Sequence, residues 1–142
     1  MKYLLDTDHI SFLQRRSGHE FIQLSTRIAQ YPMTDFALSV ISFHEQVLGA
    51  HTLINRAPNN RSMLRGYTLL SEILKGFSAA PVITFEDEAL AIFLKLKQQK
   101  VRVSTMDLRI ASIALSHNLI LLTRNAGDFS KVPGLAIEDW SK

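Results

Sequence analysis

The sequence predicts an α/β fold in which a mostly parallel sheet of four to five strands carries helices. Short apolar runs alternate with helical patterns along the whole chain, and this alternation is typical of parallel sheets. No repeat, low-complexity tract or linker divides the 142 residues, which is the length of one domain. The apolar fraction of 46% and the charged fraction of 20% are those of a globular protein. We therefore treat residues 1–142 as a single domain.

The strands are predicted from short apolar runs that polar or turn residues bound. The run "LILLT" is continuous and apolar, which is typical of an interior strand buried on both faces. The last run, "LAIEDW", is more polar and predicts an edge strand. In chain order the predicted strands cover residues 3–6, 36–41, 80–85, 119–123 and 135–140.

The helices are predicted between these strands from their apolar periodicity. Gly18 is expected to end the first helix. The segment "PNNR" is a turn signal between two long helical patterns, which together predict a helical hairpin inserted between the second and third strands. The predicted helices cover residues 8–16, 20–30, 43–57, 61–75, 86–99 and 105–117.

Composition excludes several classes of function. The chain has no cysteine, which rules out disulfides, thiol catalysis and cysteine metal sites and suits a reducing cytoplasm. We see no signal peptide and no stretch of about 20 apolar residues that could cross a membrane. The net charge of +3 permits a polyanionic partner such as RNA without requiring one. We expect a cytoplasmic protein with no membrane contact.

Two acidic residues follow predicted strands. Asp6 comes directly after "YLL", and Asp128 lies in the loop after "LILLT". Each also has an ordinary structural role open to it, since Asp6 can cap a helix and Asp128, with Asn125, can form a turn. Alone, neither acid indicates a site.

Two further acids lie near the starts of predicted helices. Ser42 and Glu45 form the pattern S-x-x-E, and Ser104 and Asp107 form S-x-x-D; both patterns are typical of capping boxes. Gly49 shares a helix face with Glu45. Because glycine costs roughly 1 kcal/mol relative to alanine inside a helix, we expect another backbone or a ligand to approach closely there.

Taken together, these acids predict a metal site. In a parallel sheet the ends of the strands and the starts of the following helices meet at one edge. Two carboxylates about 5 Å apart repel by about 3 kcal/mol at an effective dielectric of about 20, so three or four together require a counterion. Oxygen donors favour a hard divalent cation, Mg²⁺ or Mn²⁺. The predicted site consists of Asp6, Glu45, Asp107 and Asp128.

Other chemistries have less support. The D-x-D of Asp6 and Asp8 is similar to the start of haloacid-dehalogenase-like phosphatases, but Ile10 stands where that family has Thr or Val. A phosphatase remains an alternative. The five histidines lack metal-binding spacing and are expected to be structural or on the surface. No Gly-rich phosphate loop and no G-x-S-x-G motif is present.

Four motifs in order resemble the PIN-domain ribonucleases, specifically the toxin half of bacterial VapBC-type toxin–antitoxin pairs. They are "YLLDTDHIS", "SVISFHEQVLGA", "STMDLRIASIAL" and "LLTRNAGDFSKVPGLAIEDW". The resemblance implies a PIN-like three-layer α/β/α fold and a Mg²⁺- or Mn²⁺-dependent endoribonuclease. Asp6, Glu45 and Asp107 match the family's central acids, and Asp128 matches the fourth, more variable one, with Asn125 as the alternative fourth ligand.

The resemblance also implies partners, and Asp8 is a position at which the chain departs from the family pattern. The partners are an RNA substrate, an antitoxin that blocks the acidic site, and a second copy in a dimer. Asp8 stands where the family usually has asparagine. Because Asp and Asn are both good N-caps, we expect Asp8 to cap the first helix and Asp8→Asn to retain most activity. A non-catalytic PIN-like module that binds RNA or protein, with the acids as helix caps, is the alternative from another class.

Overall fold

The computed structural model describes all of residues 1–142 and confirms the α/β prediction. The sheet has five strands, all parallel, in the order β3-β2-β1-β4-β5. Every predicted strand is present, and the last one lies at an edge. The strands are β1 (Tyr3–Leu5), β2 (Phe36–Ser39), β3 (Val82–Ile83), β4 (Ile120–Leu122) and β5 (Ile137–Glu138).

Seven α-helices connect or flank these strands, and six of them were predicted. The seventh is a four-residue helix after β4 that is too short to show periodicity. None of the helices combines the length and apolar character that a membrane span requires. The helices are α1 (Thr7–Arg15), α2 (His19–Ile28), α3 (Val40–Asn55), α4 (Asn60–Ser78), α5 (Asp87–Gln98), α6 (Thr105–Ser116) and α7 (Ala126–Phe129).

The sheet separates two apolar cores, which makes the fold three-layered. Successive side chains of β1 point to opposite faces, so Leu4 lies in the core with α5 and α6 while Tyr3 and Leu5 lie in the other core. Leu121 and Leu122 of β4 divide in the same way. Burial on both faces explains why these strands read as continuous apolar runs.

The strand-to-helix junctions are tighter than predicted. β2 ends at Ser39, whose side chain accepts a hydrogen bond of 3.0 Å from the Ser42 backbone N–H and so caps α3. The helix therefore begins three residues earlier than expected. α1 ends at Arg15, and its C-cap Arg16 has the left-handed conformation (φ 56°), while Gly18 (φ 97°) instead precedes α2 as its N-cap. Glycine tolerates that positive φ, which explains its position between the two helices.

The helical hairpin of α3 and α4 is confirmed, but the glycine expectation was wrong. Gly49 is exposed, and a Cβ added to it would meet nothing within 4 Å. The close approach is at Gly66 of α4, where a Cβ would lie 2.6 Å from Cγ1 of Ile54 in α3. In the sequence both are glycines inside helical patterns, so the pattern could not tell the exposed one from the packed one.

Candidate functional site

Asp6 lies at the carboxyl end of β1, the central strand of the sheet, and its side chain is buried. Its Oδ1 accepts a 2.8 Å hydrogen bond from the Thr7 backbone N–H, and its Oδ2 accepts one of 2.8 Å from the Thr123 hydroxyl. Burial and then the negative charge of Asp8 raise the pKa of Asp6 to about 7, and the charge of Asp107 adds to the effect. The Asp6 carboxyl of the metal-free chain therefore gains or loses its proton near neutral pH.

Glu45 lies in the second turn of α3 rather than the first, because the helix begins at Val40. Its Oε1 accepts a 2.8 Å hydrogen bond from the Thr7 hydroxyl, which is also 2.8 Å from the Ser42 hydroxyl. The predicted capping box of Ser42 and Glu45 was thus wrong, and the side chain reaches across to the start of α1. Burial raises the pKa of Glu45, and the charge of Asp107 contributes.

Asp107 is the third residue of α6, and here the capping prediction is confirmed. The Ser104 hydroxyl accepts a 3.2 Å hydrogen bond from the Asp107 backbone N–H. Burial is the main cause of the raised pKa of the Asp107 carboxyl, and the negative charges of Asp128 and Asp8 raise it further. The face of α6 beyond it is fully buried at Ile110 and Ala111, so the helix holds this acid on a rigid support.

Asp128 lies at the margin of the group. Its Oδ2 accepts a 3.1 Å hydrogen bond from the Asn125 side-chain amide, and its Oδ1 is 3.4 Å from the Lys131 ammonium. These two partners lower the pKa of Asp128, which is partly exposed. Asn125 in turn donates its backbone N–H to the Thr123 hydroxyl over 3.0 Å. Asp128 and Asn125 are thus joined to Asp6 through Thr123.

Asp8 does not cap the first helix, so that prediction was wrong. The residue at the end of β1, Asp6, is itself the N-cap, because α1 begins at the next residue. Asp8 is the second residue of α1. Its Oδ1 is 2.7 Å from His9 Nδ1, and its Oδ2 accepts a 3.0 Å hydrogen bond from the Arg124 backbone N–H. Either acid of a D-x-D pattern can cap a helix, and the sequence does not show which one does.

Two hydroxyl side chains organise the acids. Thr123, the last residue of the run "LILLT", is 1% exposed, and its hydroxyl donates a hydrogen bond to Asp6. Thr7 was missed, although its hydroxyl holds Glu45. The available signal was its position between two acids at the end of a strand, where a small polar residue can reach neighbouring elements.

The donor set fits a hard divalent cation, although no three acidic or histidine side chains stand arranged to hold one together. Asp6, Glu45 and Asp107 supply carboxylate oxygens, which such cations prefer. The pKa of each is raised by burial and by a neighbouring negative charge. A bound cation would offset both effects.

Comparisons of the sequence and of the fold with known proteins identify the same family. A family model described as the PIN domain matches residues 3–135, which include all four predicted acids. Ribonuclease VapC1 from Haemophilus influenzae is 27% identical over 100% of both chains. The tRNA(fMet)-specific endonuclease VapC from Salmonella typhimurium is 28% identical over 99% of this chain and 98% of that protein. The solved structure of VapBC-1 from nontypeable Haemophilus influenzae has a TM-score of 0.69 and 28% identity, with 100% of both chains covered.

Proposed function

Because the chain belongs to the PIN-domain family, we propose that it is a metal-dependent endoribonuclease that acts as the toxin of a toxin–antitoxin pair. PIN domains are nucleases that depend on divalent metal ions, and the relatives compared above are named ribonuclease and endonuclease. The proposal extends that activity to this chain and assigns it to Asp6, Glu45, Asp107 and Asp128.

The single observation that carries the assignment is the environment of Asp6. Asp6 is 5% exposed at the end of the central strand, and its carboxyl lies within the electrostatic reach of Asp8 and Asp107. A helix cap alone requires neither this burial nor the company of other acids, because N-caps function well on the surface. A bound cation accounts for both features.

Mg²⁺ or Mn²⁺, when bound, would lower the pKa of an attacking water and neutralise charge that develops on the phosphodiester. In this proposal Asp6 and Asp107 hold the cation, and Glu45 binds it or orients the water. The Thr123 hydroxyl keeps Oδ2 of Asp6 in place, and the Thr7 hydroxyl does the same for Glu45. Asp128, linked to Asn125, completes the site at its margin.

The proposed partners follow from the relatives. The substrate is RNA, and tRNA(fMet) is the first RNA to test because one relative is named as specific for it. The VapBC name of the solved neighbour indicates a cognate antitoxin that binds the toxin. The proposal includes a homodimer. It also places the protein in the cytoplasm, where RNA is available and where a chain without cysteine is at no disadvantage.

The test is cleavage of RNA by the purified chain. EDTA should abolish cleavage and added Mg²⁺ or Mn²⁺ should restore it. Asp6→Asn and Asp107→Asn should each lower the rate by more than about 100-fold, because loss of even an outer-shell partner of a metal costs roughly 10–100-fold. Asp87→Asn, which changes an exposed acid in the first turn of α5, is the control and should cleave normally. Full activity in the folded Asp6 and Asp107 variants would overturn the assignment.

A non-catalytic binding module remains the second candidate, because Asp6 does cap α1 and Ser104 does cap α6 beside Asp107. Titration with Mn²⁺ separates the two, since acids that act only as caps should take up no metal. The phosphatase alternative needs Asp8 as a free proton donor, whereas both of its oxygens are engaged by His9 and Arg124. Labelling of Asp6 as an aspartyl-phosphate would be required to revive it.

A further inference from the structure

A chain of hydrogen bonds joins the C-terminal segment to the acidic site through His9 and Asp8. The Trp140 backbone N–H lies 3.2 Å from His9 Nε2, and His9 Nδ1 lies 2.7 Å from Asp8 Oδ1. Asp8 Oδ2 accepts the Arg124 backbone N–H over 3.0 Å. The path therefore starts beyond β5 and ends in the loop after β4.

The direction of each hydrogen bond can be assigned. A backbone N–H can only donate, so Nε2 of His9 accepts from Trp140 and carries no hydrogen, and Nδ1 carries it and donates to Asp8. The ring is fully buried, so water cannot replace either partner. The carboxylate of Asp139 lies 3.7 Å from Nε2, beyond hydrogen-bond distance, and accepts instead from the backbone and hydroxyl of Ser141.

Only an aspartate satisfies both neighbours of position 8. Its two oxygens accept from His9 and from Arg124, whereas an asparagine offers one acceptor and one NH₂ group. In either orientation the NH₂ would face a donor, His9 Nδ1–H or the Arg124 N–H. Asp8 and His9 therefore form a matched pair in this chain.

From the loop after β4, hydrogen bonds continue to the predicted metal ligand Asp6. Arg124 lies between Thr123, whose hydroxyl donates to Asp6 over 2.8 Å, and Asn125, whose N–H donates to that hydroxyl over 3.0 Å. A hydrogen bond that fixes the Arg124 backbone therefore also restricts the backbone of Thr123 and Asn125. An outer partner of this kind fixes the orientation of a ligand and thereby its affinity for metal.

We propose that Asp8 and His9 are positioning residues that hold the Thr123–Asn125 backbone and thereby orient Asp6, while Asp8 itself is not a metal ligand. The metal part of this inference rests on the proposed function. It reverses the expectation that Asp8→Asn retains most activity, because that variant leaves two donors facing each other.

Two substitutions of His9 distinguish two roles for this residue. In one role it orients Asp6 through Asp8, and in the other it only anchors the C-terminal segment. Asparagine places its amide as many bonds from Cα as Nδ1, so His9→Asn keeps a donor for Asp8 and loses the acceptor for Trp140. Glutamine reaches as far as Nε2, so His9→Gln keeps the acceptor for Trp140 and loses the donor for Asp8. Both leave every acid in place, so neither alters the charge of the site.

The readout is Mn²⁺ affinity by calorimetry on the full chain, with the melting temperature as a check of folding. We expect His9→Gln and Asp8→Asn to lose about 10–100-fold in affinity, while His9→Asn stays close to the wild type. Asp87→Asn removes one exposed acidic side chain and is the matched control, which should bind Mn²⁺ with the affinity of the wild type. If His9→Asn is weakened and His9→Gln is not, the pair only anchors the C-terminal segment and the inference is overturned.

A spectroscopic measurement tests the hydrogen bonds without metal. The ¹⁵N shifts of His9 should show hydrogen on Nδ1, and the Arg124 amide proton should move upfield in Asp8→Asn as the charged acceptor is lost. Hydrogen on Nε2 would overturn the inference. A wild-type chain that binds no Mn²⁺ and cleaves no RNA would instead overturn the proposed function, and the ¹⁵N result would still decide whether the pair exists as described.

Discussion

At the scale of single residues, the carboxyl of Asp6 serves two purposes that conflict when no cation is bound. It caps α1, which favours the folded chain, and it is buried beside other negative charges, which makes its ionised form unfavourable. The same environment that would favour metal binding therefore makes the metal-free fold sensitive to pH.

We expect the metal-free chain to lose stability through Asp6 as the pH rises from about 4 to about 7. The folded pKa of about 7 lies above the ordinary value of 3.8, so over this interval the folded state binds the proton more tightly. The contribution is fully present below the lower value and is lost above the higher one. It is on the order of 4 kcal/mol, since each pKa unit corresponds to about 1.4 kcal/mol.

Urea unfolding in EDTA across this pH range measures the effect. Asp6→Asn keeps an N-cap and removes the charge, so its stability should exceed that of the wild type increasingly as the pH approaches about 8. Asp87 is exposed, so the free energy of unfolding of Asp87→Asn should change with pH as that of the wild type does. A constant difference between Asp6→Asn and wild type at all pH values would contradict the raised pKa of Asp6.

The residue types at the site could be predicted from the sequence, whereas their partners could not. Ser39 and Ser42 are three residues apart and either can cap a helix that starts near them, so the position of Glu45 within α3 depended on where β2 ends. At Ser104 the predicted cap coincides with the observed start of α6, and the capping prediction for Asp107 is confirmed. The role of these acids as metal ligands stays a prediction.

At the scale of elements, the strands and the six longer helices were predictable because their apolar patterns are strong. Their ends were not, since each end depends on one side chain finding a backbone partner. The interface between α3 and α4 shows a second limit, because Gly66 is required there by the close approach of Ile54, which is remote in the sequence.

Gly66→Ala should therefore destabilise the chain, while Gly76→Ala in the same helix should stabilise it. A Cβ at Gly66 would overpack against Ile54 at a typical cost of about 1–3 kcal/mol, which outweighs the roughly 1 kcal/mol gained in helix propensity. Gly76 has nothing within 4 Å of its Cβ position, so only the gain applies. Chemical denaturation measures both, and equal gains would show that α3 and α4 can move apart without cost.

At the scale of the whole molecule, the site exists because the strand order places β1 between β2 and β4. Asp6, the helix that carries Glu45 and the loop with Thr123 then meet at one edge. Sequence alternation predicted a parallel sheet, but several strand orders satisfy that pattern, so the order itself required the structure. The two ends of the chain also meet, since the rings of Tyr3 and Trp140 lie 4.7 Å apart.

Trp140 joins these ends, and its loss should destabilise the whole fold. The side chain is 1% exposed, packs against Tyr3, Tyr31 and Phe36, and lies under the guanidinium of Arg27 at 4.4 Å. Removing a large buried aromatic side chain typically costs about 3–5 kcal/mol, a large part of the roughly 5–15 kcal/mol that stabilises a domain. Trp140→Ala should thus approach global unfolding.

Trp140→Phe retains a ring and is the matched control, which should lose much less. Because Trp140 is the only tryptophan, unfolding is followed by circular dichroism instead of fluorescence. The backbone N–H that bonds to His9 is unchanged in both variants, so the Phe variant should keep its Mn²⁺ affinity while the Ala variant loses stability. If Trp140→Ala cost less than about 1 kcal/mol, the C-terminal segment would be an appendage to the fold and could not transmit order to the acidic site.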